Sequence, residues 1–246
     1  MIASLPMYDW PEMQSANDAF WSVVKQEFGA RGLSVPDDLS RDGEHDAHWL
    51  QSDLLLSQTC GYPYATRLVE KVQRVATPHY NVEGCDGPTY SSAVVVGKDS
   101  SFERLEDVLP GSVAVNSCDS LSGYRCFSPL IGDARAAFAA LKISGGHRTS
   151  ALMVARGEAD CAAIDAVCWS LFQQFEPGAA QRLRVLAWGP KFPALPFITS
   201  LRTGENDVRL LADGLAAASA TREAGAIGLA KCSGVSEESY AALARL

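Results

Sequence analysis

Tyr90-Ser91-Ser92-Ala93-Val94-Val95-Val96-Gly97 carries an unbroken apolar stretch from Ala93 to Val96. A strand with one wet face alternates apolar and polar residues, whereas a run like this reads as a strand covered on both faces, as in α/β sheets. Downstream the pattern becomes rhythmic. Ser112–Asn116 reads as a strand, Ser117–Ser122 as a polar loop, and a helix is expected from Gly123 onward. Leu141–Ser144, Cys161–Ile164 and Arg182–Trp188 read as strands, with helices over His147–Arg156 and Ala166–Phe175 between them. A further strand, Ala194–Ser200, closes this block.

Upstream, Met1–Met7, Asp53–Ser57 and Val72–Tyr80 read as strands, and Tyr62–Lys71 as a helix. Ser15–Arg31 carries Phe20, Val23, Val24 and Phe28 at helical spacing, with Ser15 as a candidate N-cap. The chain ends in two helical segments, Glu205–Ser219 and Glu237–Leu246. Strands alternating with helices of this length predict βαβ units and mainly parallel sheets with helices on both faces. The two extended segments bracket a block with a complete α/β rhythm of its own. The expectation is a two-lobed α/β protein: residues 1–93 and 197–246 form a discontinuous first lobe, 94–196 an inserted second lobe, and a two-strand hinge joins them.

The 246 residues are 47% hydrophobic and 20% charged, ordinary for a globular chain. A net charge of −8 with scattered basic residues argues against a nucleic-acid partner. No apolar run approaches the roughly 20 residues of a membrane span. Met1–Pro6 lacks a basic region followed by an apolar stretch and does not read as a secretory signal. The seven cysteines form no C-x-x-C pair. Cys161 and Cys168 sit in apolar surroundings and read as small hydrophobes. Cys60 and Cys85, in polar glycine-containing loops, are the candidates for a disulfide, which would imply an oxidising compartment.

In parallel α/β sheets, ligands bind beyond the carboxyl ends of strands. Ser117–Ser122 follows one strand and presents Ser120 and Ser122, hydroxyls suited to an anion, although Ser and Asp also favour helix N-caps. Gly145-Gly146 precedes His147, whose ring can donate to an oxyanion or serve a structural role. Asp165 ends a third strand, placed either to accept from a ligand or to cap the following helix. Tyr8, Tyr62, Tyr64 and Tyr90 recur near strand ends of the first lobe, each pairing an apolar body with a hydroxyl. The fingerprints G-x-S-x-G, G-x-x-x-x-G-K-[ST] and G-x-G-x-x-G are missing, so no catalytic residue is assigned. His45 and His48 have ligand-like spacing in a polar stretch, but neither a metal nor a cofactor is expected.

At these loops the chain resembles the phosphate/phosphite/phosphonate-binding family of ABC-transporter solute receptors, a periplasmic-binding-protein type II family. The matching segments are Ser4–Asp9, Leu54–Tyr64, Tyr90-Ser91-Ser92 with Val94–Val96, Leu105–Val108, Val113–Asn116, Asp119–Gly123, Gly146-His147 and Gly157–Asp165. The resemblance implies a hinged cleft that captures a small phosphate- or phosphonate-like oxyanion for a transporter permease, by a monomer that performs no reaction. The family's Ser-Thr-Ser loop maps onto Ser120, Leu121 and Ser122, where Leu121 replaces the central threonine. His147 and Asp165 map onto polar contacts of the second lobe, and Tyr90 onto one of the first. Family members are periplasmic. The signal-free start read above leaves a cytosolic location open, with two further readings: a cofactor-biosynthesis enzyme of the thiamine-precursor or menaquinone type, or a ligand sensor.

Overall fold

A computed structural model describes residues 1–43 and 45–246. It divides into two units: residues 1–81, 86–88 and 193–245, and residues 82–85, 89–192 and 246. The long second-unit stretch runs between crossings at 88/89 and 192/193, a few residues before the 93/94 and 196/197 boundaries expected from sequence, and residues 82–85 join it ahead of the first.

The strands are β1 (Ile2–Ala3), β2 (Leu54–Gln58), β3 (Val72–Tyr80), β4 (Cys85–Asp86), β5 (Thr89–Tyr90), β6 (Ser92–Gly97), β7 (Ser112–Val115), β8 (Ala140–Ile143), β9 (Cys161–Asp165), β10 (Leu183–Trp188), β11 (Phe192–Pro193), β12 (Phe197–Ser200) and β13 (Leu229–Ser233). The first unit holds the sheet β1-β2-β12-β3-β13 and the second the sheet β10-β6-β9-β7-β8. β4, β5 and β11 form a small third sheet at the crossing segments.

Both large sheets are mixed, which corrects the expectation of mainly parallel ones. β12 runs antiparallel to β2 and β3, and β13 antiparallel to β3. β6 runs antiparallel to β9 and β10, while β7, β8 and β9 are parallel. The reason is connectivity. A helical crossover returns the chain for a parallel strand, but β6 and β12 follow directly on chain crossings between units and carry no such constraint.

In the first unit, the helix Gln14–Ala30 places Phe20, Trp21, Val24 and Phe28 on its buried face. Its first turn is preceded by a short Pro11–Met13 turn, so Ser15 lies inside the helix rather than at its cap. It packs on the helix Glu205–Ala218. A β-carbon on Gly214 would stand 2.6 Å from Phe28 Cδ1, so glycine here allows the two helices to close. Tyr62–Lys71 is a Gly61–Pro63 turn followed by a wide turn over Tyr64–Leu68, not one regular helix. The expectation missed β13 because Leu-Ala-Lys-Cys-Ser is a short edge sequence whose middle faces solvent.

In the second unit, Ala93–Val96, Val113–Val115 and Cys161–Ile164 are all fully buried. The helices His147–Ala155 and Ala166–Phe175 cover these strands. Dispersion and apolar transfer are thus collected on both faces, which is why these strands show no alternation. The edge strand β8 leaves Ile143 62% exposed.

Candidate ligand-binding site

Strand register assembles one end of the second sheet. Val115 pairs with Ile143, and Ser92 with Asp165. The loops after β7, β8 and β9 therefore leave from the same edge, where β6 begins. This edge carries Asn116, Ser120, Ser122, His147, Asp165 and Ser92.

The loop after β7 is held by its own bonds. Gly123 N–H donates to Ser120 Oγ at 3.0 Å, and the Ser120 carbonyl accepts from Tyr124 and Arg125. A β-carbon on Gly123 would meet Asn116 Oδ1 at 1.9 Å, so the turn closes onto Asn116 only because residue 123 is glycine. The helix expected from Gly123 does not begin there and is reduced to a short 3-10 segment, Arg125–Phe127, and a single α-helical turn, Ser128–Ile131. Turns lead into the first of these, and the anion-binding argument loses its helix dipole. Leu121 is fully buried and anchors the loop to the core, so its side chain is not available to a ligand.

The loop after β8 turns at Gly145, whose φ of +85° suits glycine. Ser144 Oγ lies 2.7 Å from Ser150 Oγ. His147 opens the next helix, and its Nε2 lies 2.8 Å from Ser122 Oγ. Burial pushes the imidazole pKa down to about 4, with the Ala163 carbonyl opposing part of that shift. His147 is therefore neutral at physiological pH. Its Nδ1, Ser92 Oγ and Asn116 Oδ1 are buried without a hydrogen bond of normal geometry.

Asp165 is buried, and its Oδ1 accepts from Val167 N–H at 2.8 Å and Cys168 N–H at 3.2 Å. The capping role weighed from sequence is thus realised. Its charge also raises the Cys85 thiol, which burial and Asp165 together push up to about 12. Tyr90 is 1% exposed and belongs to the second unit, not the first as expected.

In the first unit, β2 ends at Gln58, whose Nε2 donates to Tyr80 Oη at 3.1 Å and to the Leu195 carbonyl at 3.0 Å. Tyr8 stands edge-on to Tyr80, with centroids 5.3 Å apart. Tyr62 is half-buried in the turn after β2. Tyr64 is committed elsewhere: its hydroxyl donates to Glu237 at 3.2 Å and its ring packs on Tyr240. Tyr240 in turn bonds the Ala194 carbonyl and Thr77, with the Arg74 guanidinium 5.0 Å from its ring centre. Tyr64 thus fastens the C-terminal helix, and the ligand role expected for it does not fit.

The sequence reading missed Gln58, Tyr80, Ser92 and Asn116. Asn116 and Gln58 each sit at or just beyond a strand end, a signal that was legible. Ser92 and Tyr80 gained their positions only from strand register.

No disulfide forms among the described residues. Cys60 belongs to the first unit and Cys85 to the second, and both carry thiols. Among the described residues no cluster of His, Cys, Asp or Glu could hold a metal. Glu44 and the His45 side chain lie outside what is described.

Two mixed α/β units, the second inserted into the first, with polar loops on one sheet edge, define a binding protein of the periplasmic-binding type. Residues 50–240 match the family model for the phosphonate periplasmic substrate-binding protein of ABC transporters. The chain belongs to that family, a family of solute-binding proteins and not of enzymes. No curated protein sequence matches it significantly. Solved structures share its fold. The binding component of an ABC phosphonate transporter from Pseudomonas aeruginosa is 18% identical, with a TM-score of 0.70 over 97% of this chain and 83% of that one. PhnD1 of Prochlorococcus marinus, solved with methylphosphonate, is 14% identical, with a TM-score of 0.72 over 99% and 95%. A Xanthomonas citri protein solved with ATP is 13% identical, with a TM-score of 0.70 over 99% and 95%. Among the described residues no helix is long and apolar enough to cross a membrane.

Proposed function

We propose that this chain reversibly captures a small phosphonate-class oxyanion, such as methylphosphonate, and delivers it to a transporter permease in the periplasm. Ser120, Ser122 and His147 form the oxyanion-recognising edge of the second unit, with Ser92, Asn116 and Tyr90 beside them. Asp165 keeps that edge in shape through its cap. Tyr8 and Tyr62 are proposed recognition residues of the first unit taken by itself, with Gln58 and Tyr80 positioning Tyr8.

The observation that carries this reading is the part-buried Ser122–His147 pair, 2.8 Å apart, on a strand-end edge where other polar atoms are buried without normal hydrogen bonds. Burying polar groups unpaired costs about 1–3 kcal/mol each, a cost that ligand contacts offset. The −8 net charge does not forbid an anion, because surface charges farther than about 8 Å are screened at physiological salt.

The test is calorimetric titration with methylphosphonate. Loss of one hydrogen bond to a charged ligand costs about 1.5–3 kcal/mol, so Ser122→Ala is expected to weaken binding by roughly tenfold or more. Wild-type affinity in that variant would remove the Ser120–Ser122 loop from the site.

A further inference from the structure

The first unit holds a cavity of its own. Leu5 and Pro6 follow β1, and Ser40 N–H donates to the Ala3 carbonyl at 2.7 Å, so the chain around Ser40 runs beside that strand. Here, at the start of the helix Gln14–Ala30, lies a cavity of about 200 Å³. Leu5, Pro6 and Leu39 give it an apolar wall. Gln14, Ser40, Arg41 and His48 give it a polar one, with Asp9 beside Arg41. We propose that this cavity binds a small monocarboxylate with a short alkyl chain, at a site of the first unit alone.

The sign of the ligand follows from which charged group is already spent. Both Asp9 oxygens are occupied: Oδ1 accepts from Asn17 Nδ2 at 2.7 Å and from Arg41 Nη2 at 3.3 Å, and Oδ2 from Arg41 Nε at 2.6 Å. Arg41 is only half spent. Its Nη2 also donates to the Gln14 carbonyl at 3.4 Å and to Asp18 at 2.7 Å, but its Nη1 donates to nothing among the described residues. The Gln14 amide, the Ser40 hydroxyl and the His48 ring make no hydrogen bond among the described residues either. Unspent donors around a spent carboxylate suit an acceptor-rich, negatively charged group. The free planar edge of a guanidinium matches a carboxylate, and the apolar wall covers an alkyl chain. Asp9 is neutralised in its ion pair, and Asp18 is 53% exposed, so water screens its repulsion. Size sets the rest: drug-sized ligands fill about 300–1,000 Å³, so this cavity takes only a few heavy atoms.

Butyrate, butyramide and butylammonium test this, because they share a chain length and differ in charge. Calorimetric titration of the intact protein is expected to show saturable butyrate binding, at least about tenfold tighter than butyramide, with butylammonium weaker still. Saturating methylphosphonate should leave butyrate affinity unchanged. Arg41→Lys keeps a cation beside Asp9 but lacks the second planar edge. Ser40→Ala leaves the Arg41–Asp9 pair in place, and keeps the test decisive should Arg41→Lys not fold. Each is expected to weaken butyrate binding by about tenfold and to leave methylphosphonate affinity as it was. Binding of none of the three probes overturns the inference, as does butyramide or butylammonium binding as tightly as butyrate. Displacement of butyrate by methylphosphonate overturns it too, since the two would share one site. Wild-type butyrate affinity in the folded variants places butyrate elsewhere and ends the proposal. Loss of methylphosphonate binding alone would sink the function proposed above and leave this site standing.

Discussion

The strand ends of the two units treat their buried polar groups in opposite ways. In the first unit they are spent on one another. Gln58 ties Tyr80 to Leu195, and Tyr64, Glu237, Arg74, Tyr240 and Thr77 are linked by hydrogen bonds, a ring contact and a cation–π contact that fasten the C-terminal helix. In the second unit, Ser92 Oγ, Asn116 Oδ1 and His147 Nδ1 are buried with no hydrogen bond of normal geometry, on the same edge as the Ser122–His147 contact. Such atoms occur elsewhere too, at the Trp21 and Trp169 indoles and at Arg74 Nε within the first-unit network itself. The second-unit edge differs in bringing several to one end of one sheet. On the function proposed above, polar side chains at strand ends serve cohesion in the first unit and recognition in the second.

That contrast breaks most visibly through Tyr240. Removing a fully buried aromatic side chain costs about 3–5 kcal/mol, and Tyr240 also holds two hydrogen bonds. Tyr240→Ala is expected to lower stability by that order in denaturant titration, while the folded fraction keeps its methylphosphonate affinity. A variant that folds well but binds poorly would place the first-unit network in recognition.

Next in size is the pH response of the second-unit edge. The His147 pKa falls from 6.5 to about 4 on folding. The unfolded chain then holds the proton more tightly, so this contribution is complete above about pH 6.5 and is lost as pH falls toward 4. The loss amounts to up to ~3 kcal/mol. His79 is lowered in the same direction, by burial and by Lys231. Comparing unfolding at pH 7.5 and pH 5 in wild type and His147→Gln isolates the His147 share, and the variant should show the shallower dependence.

Gly123→Ala forces a β-carbon against Asn116 Oδ1 and is expected to cost roughly 1–3 kcal/mol. Because the strain falls on the loop proposed to recognise the ligand, affinity should drop alongside stability. A thermal melt and a titration on the same sample decide whether the two move together. The smallest effect is assigned to Tyr64→Phe, which removes the hydroxyl that faces Glu237 and Arg74. It should cost about 1 kcal/mol or less and leave binding unchanged. A loss of affinity there would restore Tyr64 to the ligand set and blur the contrast.

Much of this was written in the local pattern. Val72–Tyr80 and Ala166–Phe175 have the same bounds in the sequence reading and in the structure, because period and composition alone distinguish a strand from an amphipathic helix. The inserted block was legible from its rhythm, and Ser122 and His147 from their places after strands. Local pattern did not carry pairing direction, since an apolar run reads alike in parallel and antiparallel strands. β6 and β12 took the antiparallel sense from connectivity. Nor could sequence separate Tyr64, bound to Glu237 173 residues away, from tyrosines facing a ligand. The partner of a hydroxyl or an imidazole is set by which distant strands lie side by side. Tertiary structure therefore decided which polar residues bond one another, as Tyr64 and Glu237 do, and which stand on the edge proposed to recognise a solute.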